Sequence, residues 1–193
     1  MRRWFAVLVL AALAACGGAT AGSRGEPEAV VGSAPDRTIG QGTARVEAAA
    51  PDASSAGRLR LSEAGAHLQP SGAGPDHAYP ELDQPLAVVD LVRGATEVVP
   101  YGGTAVRGVS TFRYETLIDV DRAIRSTPPE RREALRTFAD RLPSRTFYAD
   151  VWVDGEGRIR RVQLPVDKTA ERPGSRDRRK PRLVTVDLFD YGA

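Results

Sequence analysis

Residues 146–166 alternate apolar and polar side chains on either side of Asp154-Gly155-Glu156-Gly157. A repeat of two sends successive side chains to opposite faces of a strand, and Asp-Gly chemistry suits a tight reversal of the chain. The segment therefore predicts a β-hairpin, and the fold has to accommodate antiparallel strands. A turn centred on Gly155-Glu156 sets Val151 opposite Arg160, Trp152 opposite Ile159, Asp150 opposite Arg161 and Phe147 opposite Leu164. In that register Asp150 and Arg161 form a cross-strand ion pair. Phe147, Ala149, Val151, Val162 and Leu164 make the apolar face.

The elements around this hairpin follow from the same kind of patterning. Asp83 is placed to cap a helix with Pro85 in its first turn, Leu86, Val89 and Val92 on one face, and Gly94 to stop it. Thr96 to Tyr101 predicts a strand, Gly102-Gly103 a turn, and Thr104 to Asp119 a long strand. In that strand Phe112, Tyr114 and Ile118 share a parity that Val120 continues, while Thr111, Arg113, Glu115 and Asp119 fall on the other face. Asp119 or Asp121 begins a short helical turn through Ile124. Thr127-Pro128-Pro129-Glu130 has the form of a capping box, with Thr127 as N-cap and Glu130 at the third helical position. The helix it opens carries a stripe of Leu135, Phe138, Ala139 and Leu142, has Arg131, Arg132 and Arg136 elsewhere, and ends at Pro143. Lys168 to Lys180 reads as a polar basic loop, and Arg182 to Tyr191 as a last strand with Val184, Val186 and Leu188 on one side.

The N-terminus carries a different message. Met1-Arg2-Arg3 precede an uncharged run of 12 residues, Trp4 to Ala15, that ends at Cys16. As a helix it would cover roughly 18 Å against the roughly 30 Å hydrocarbon core, so it reads as an export signal rather than a membrane span. Leu13-Ala14-Ala15-Cys16 has the form of a lipobox, in which small residues precede the cut and the thiol receives a diacylglyceryl group. Two acyl chains give a lasting anchor where one gives marginal attachment. The competing readings are a secretory signal with an incidental cysteine and a twin-arginine export signal built on Arg2-Arg3. With a single Cys, the 193-residue chain has no intramolecular disulfide and no cysteine-based zinc cluster.

The expected organisation is then a signal peptide (1–15), a flexible Gly/Ala/Ser/Pro-rich tether (16–42), a weakly structured region (43–80) and one folded domain (81–193). Within 43–80, Thr43 to Ala48 and Arg58 to Glu63 are candidate short strands, and His67 and His77 read as solvated loop residues rather than metal ligands.

Charge and motifs narrow the function. Arg and Lys number 27 against 25 Asp and Glu, a near balance that points to no polyanionic partner, and nucleic acid is not expected outside the membrane. The chain contains no Gly-rich phosphate loop, G-x-S-x-G elbow, H-E-x-x-H pair or Cys–His constellation. It is read as a non-enzyme without a cofactor. Glu115, Asp119, Asp121 and Asp150 are explained by strand alternation and helix capping. Arg172, Arg176, Arg178, Arg179, Lys180 and Arg182 against Asp177 form a basic stretch able to touch anionic headgroups, with a solvated loop as the plainer reading.

A family resemblance rests on the order of these pieces. Asp83-Gln84-Pro85-Leu86 opens a helix, Val106-Arg107-Gly108-Val109-Ser110-Thr111-Phe112-Arg113-Tyr114 precedes an acidic helix start, and Val151-Trp152-Val153-Asp154 is followed by Gly157-Arg158-Ile159-Arg160-Arg161. This pattern resembles the LppX/LprG-type actinobacterial lipoproteins of the LolA-like group over roughly residues 81–192. The resemblance implies an α+β fold in which a curved antiparallel sheet, an incomplete barrel, packs with two or three helices around an apolar cavity. In such a cavity a lipid or other hydrophobic ligand would be held by desolvated alkyl surface. Phe112, Tyr114, Ile118, Phe138, Val151 and Val162 are the candidate wall residues, with packed core as their alternative role. The expected protein is therefore a lipid-anchored extracytoplasmic binder or carrier. The alternative is a non-catalytic envelope scaffold that meets a protein partner through an exposed patch.

Overall fold

The computed structural model describes residues 26–63, 65–68, 79–165 and 183–193. Seven described strands form one open antiparallel sheet in the order β2-β1-β7-β6-β5-β4-β3. They are β1 (Thr43–Ala49), β2 (Ser54–Arg60), β3 (Ala95–Val106), β4 (Val109–Asp119), β5 (Thr146–Asp154), β6 (Ile159–Pro165) and β7 (Leu183–Phe189). Five described α-helices, where two or three were expected, pack with it: α1 (Pro27–Ile39), α2 (Pro80–Asp83), α3 (Pro85–Leu91), α4 (Val120–Ser126) and α5 (Pro129–Ala139). A 3-10 turn, Val92–Gly94, joins α3 to β3. Added as an alanine, Gly94 would bring a Cβ within 2.1 Å of the Asp119 carbonyl oxygen, so only glycine allows this turn to approach the start of α4.

The β5–β6 hairpin forms, but its register differs from the expected one. Asp150 pairs with Gln163, Val151 with Val162 and Trp152 with Arg161, and a bulge then brings Val153 opposite Ile159. The turn is longer than two residues. Gly157 takes a φ of 79° and donates to the Asp154 carbonyl, while the Asp154 carboxylate accepts the N–H groups of Glu156 and Arg158. Five residues in place of a two-residue reversal shift every pair, so Asp150 meets Arg113 and Arg161 meets Asp187. The apolar face is as expected, with Phe147, Ala149, Val151, Val162 and Leu164 all buried.

The β3–β4 reversal also sits elsewhere. Arg107 and Gly108, at φ 50° and 78°, make the two-residue turn, and Gly102-Gly103 lies inside β3 beside a register shift at Pro100/Gly102. Two adjacent glycines are a stronger turn signal than Arg-Gly, yet here they serve an irregular edge strand.

The N-terminal half departs furthest from expectation. The stretch assigned to a tether contains α1, whose Val31, Ala34, Pro35 and Thr38 are buried at helical spacing. Thr38 Oγ1 donates to the Ala34 carbonyl and accepts the Ile159 N–H at 2.9 Å, so α1 is fastened to β6. In the region expected to be weakly structured, the candidate strand Thr43 to Ala48 forms as β1, with Ala44, Val46 and Ala48 all buried, and the one expected at Arg58 to Glu63 lies earlier, as β2 at Ser54–Arg60. The sheet therefore extends well before residue 81. Small residues suffice because helix and sheet approach closely where side chains are short.

Two capping assignments change and one holds. Thr127 donates to the Ala123 carbonyl at the end of α4, and α5 begins after Pro128 without a side-chain cap. Gln84, not Asp83, precedes α3, and Asp83 pairs with Arg141. Asp119 does cap α4, accepting the Arg122 N–H at 2.9 Å.

Candidate functional site

The inner face of the sheet, against the helices, is almost wholly apolar. One cross-strand row runs Ala48, Val186, Val162, Val151, Tyr114 from β1 to β4. The fold thus brings three of the candidate wall residues, Tyr114, Val151 and Val162, side by side. Phe112 lies 5.7 Å from Tyr114 between ring centroids, Ile118 follows on β4, and Phe138 comes from α5. Tyr114, Ile118, Phe138, Val151 and Val162 are fully buried in one core cluster, and Phe112 packs on it part-exposed. Their surroundings are protein side chains.

A small pocket lies away from these residues. A pocket of about 10 Å³ sits between α3 and α5 under Gly65 and Ala66, bordered by Leu86, Leu135, Asp90 and Arg131. That is room for about one water. None of the six candidate wall residues borders it.

Charge is buried inside the helix layer, which the sequence pattern did not reveal. Arg131, expected off the apolar face of α5, is buried and donates to Asp90 at 2.9 Å and to the Leu61 carbonyl at 2.8 Å. Asp90 also accepts from Arg93 at 3.1 Å, and Arg93 reaches Asp36 at 2.7 Å. The relay links α1, the 3-10 turn, α3, α5 and the end of β2. Breaking such a pair leaves an uncompensated buried charge, a cost of about 3–5 kcal/mol. One charged residue inside the apolar run Leu86–Val92 was the available signal.

Glu81 was missed as well. It is buried on α2, its Oε2 has no hydrogen-bond partner, and burial pushes its carboxyl up to about 7.

No protein-family model matches the chain, and no curated protein matches it in sequence. Solved structures do match it in shape, two of them lipoproteins. The lipoprotein LppX from Mycobacterium tuberculosis superposes with a TM-score of 0.51 at 12% identity, over 86% of this chain and 94% of LppX. LprF from Mycobacterium bovis superposes with a TM-score of 0.54 at 13% identity, over 87% of this chain and 93% of LprF. The chain has the LppX/LprF fold. At this identity the likeness is one of architecture, and it agrees with the framework resemblance noted in the sequence.

The outer face of this LppX/LprF-type sheet is polar and aromatic. Glu47, Asp187, Arg161, Trp152 and Arg113 are successive cross-strand neighbours from β1 to β4. Arg161 holds Asp187 at 2.6 and 2.8 Å, and Arg113 holds Asp150 at 3.0 and 2.8 Å. The Arg113 guanidinium also lies over the rings of Tyr101 and Trp152, at 4.9 and 5.5 Å. From the β3–β4 turn Arg107 reaches Glu47, Asp187 and the Phe189 ring, so this hairpin bends across the outer face. Val106 and Trp152 are buried there, apart from the main core cluster. Nearby, burial would raise the Asp154 carboxyl, but hydrogen bonds from the Arg158 N–H and from the Arg160 and Arg158 side chains outweigh it and hold it below the usual range.

Cys16, the lipobox residues Leu13, Ala14 and Ala15, His77 and the basic stretch 172–182 lie outside the described residues. His67 is exposed. Among the described residues no helix is long and apolar enough to cross a membrane, and no group of three metal-ligating side chains converges.

Proposed function

We propose that the chain is a non-catalytic lipoprotein, anchored on the extracytoplasmic side of the membrane through Cys16, whose inner sheet face takes up a lipid or other hydrophobic ligand. The architecture carries this reading: a continuous apolar face is roofed by short helices, in the fold of two lipoproteins. Drug-sized ligands occupy sites of roughly 300–1,000 Å³. Five of the wall candidates are buried in the packed core cluster, so uptake between them requires the helix layer to part from the sheet.

The anchor brings a distance limit. At most about 38 Å of extended chain separates Cys16 from α1 at Pro27, so the domain stays close to the bilayer surface.

The packed interior favours one further reading, an anchored scaffold that meets an envelope protein through its outer face. Tyr101 and Val99, 55% and 42% exposed on β3, are its apolar contacts. Titration with an environment-sensitive fatty-acid probe separates the two. Saturable one-to-one binding supports ligand uptake, and the absence of binding at micromolar protein leaves the scaffold. Membrane fractionation of Cys16→Ala tests the anchor, since retention equal to wild type would contradict it.

A further inference from the structure

Glu81 is 2% exposed on the four-residue helix α2, and its Oε2 is buried without a hydrogen-bond partner. Helix α2 rests on β1, β2, β7 and α3. The strand residues on the inner side beneath it, among them Ala48, Ser55, Leu59 and Val186, are uncharged. The charged residues of those strands, Arg45, Glu47, Arg58, Arg60 and Asp187, have the opposite parity and face outward. On α3, Asp90 is engaged by Arg93 and Arg131. Tyr79, at the head of α2, is buried, and His67, in the segment that touches Asp83, is exposed. Among the described residues, burial raises the Glu81 pKa, a backbone hydrogen bond to the carboxyl and then Arg141, itself bonded to Asp83 at 2.9 Å, lower it, and Asp83 raises it.

Three polar contacts to other elements are seen for the helix among the described residues. Ser55 Oγ donates to the Leu82 carbonyl at 2.6 Å, the Leu68 N–H donates to the Asp83 carbonyl at 2.8 Å, and Arg141 pairs with Asp83. Leu82, fully buried, is its apolar plug.

We infer that α2 is a proton-operated latch on the helix layer: with Glu81 protonated it seats on β1, β2 and β7, and with Glu81 ionised it lifts and uncovers the inner face. A carboxylate with one buried oxygen left unbonded is costly in an apolar site, whereas the neutral acid is tolerated there. Burial accordingly moves the group from 4.5 to about 7 in the seated state. The seated state binds the proton more tightly, so the opening constant rises about tenfold per pH unit between the two values and levels off above the upper one. The latch gives the proposed uptake its regulation and rests on that reading for its purpose, but it is measured without ligand.

Hydrogen exchange of the full-length protein tests it, with rates corrected for intrinsic exchange and followed at residues 80–91 from pH 5 to pH 8. In wild type the opening constant should rise by roughly 30-fold between pH 5 and pH 7 and then flatten. Glu81→Gln, neutral and of the same shape, should stay at the low-pH level throughout. A carbon-13 titration of the Glu81 carboxyl in wild type should have its midpoint near 7, which keeps the inference testable if the variant fails to fold. A midpoint in the ordinary carboxylate range, exchange that ignores pH, or the same pH dependence in Glu81→Gln overturns the latch. A latch that titrates in a protein that takes up no hydrophobic probe overturns the uptake reading instead.

Discussion

The two faces of the sheet use arginine and carboxylate pairs in opposite ways. On the inner side, Asp90, Arg93 and Arg131 are desolvated within the helix layer, with side chains 3–7% exposed. On the outer side, Arg113 and Arg107 pair with carboxylates and stack on rings while each stays 37% exposed. Buried pairs fix how the helices sit relative to one another, because removing one partner strands the other. Half-exposed pairs are individually weak and gain from forming a network. The inner face therefore determines whether the helix layer can open, and the outer face stiffens the sheet beneath it.

The largest test removes a charge from the inner relay. Asp90→Ala should destabilise the protein by about 3–5 kcal/mol in urea unfolding, because it leaves Arg93 and Arg131 without their shared carboxylate. A loss below about 1 kcal/mol would place the relay in the class of surface pairs. Glu81 should act in the reverse sense. Its folded pKa is raised, so its stability contribution is full below the unfolded value of 4.5 and is lost as pH climbs through about 7. Relative to wild type, Glu81→Gln should therefore be nearly neutral at about pH 4.5 and more stable by about 3 kcal/mol at pH 8, read from thermal unfolding at the two pH values. On the outer face, Arg113→Ala should cost about 1 kcal/mol, through the bidentate Asp150 pair and two ring contacts. Part of that loss should vanish in 1 M salt, whereas the Asp90→Ala loss should not. The smallest effect belongs to Arg45→Ala. Its pair with Asp190 spans 3.6 Å with both side chains more than half exposed, and the change should stay within about 0.5 kcal/mol.

What the sequence disclosed follows the same division. Alternation in β5 and β6 located the hairpin and its apolar face because a half-buried strand must repeat every two residues. It could not locate the pairs, because one bulge and a five-residue turn closed at Gly157 reset the register without changing which residues are apolar. Helix α1 escaped notice, and β1 was legible only as a short isolated strand, for a different reason. Their buried residues, Val31, Ala34, Ala44, Val46 and Ala48, are small, and in a Gly/Ala/Ser-rich background they resemble a linker until a sheet exists for them to pack on. The charged members of the inner face were hidden as well. Arg131 read as lying off the apolar stripe, and Glu81 drew no reading at all, because burial of a charge is a property of the assembled layers, not of either helix alone. Five of the six wall candidates lie on the inner sheet face and Phe138 meets it from α5, and what surrounds them was beyond any one-dimensional pattern.

The central claim is that an anchored half-barrel takes up a hydrophobic ligand by parting its helix layer. Native mass spectrometry of the full-length protein, released gently from membranes near pH 7.5, tests it most directly. The expected species is a polypeptide beginning at diacylated Cys16 that carries a noncovalently bound lipid, lost on denaturation. A diacylated polypeptide with no adduct under conditions that preserve such complexes would contradict it.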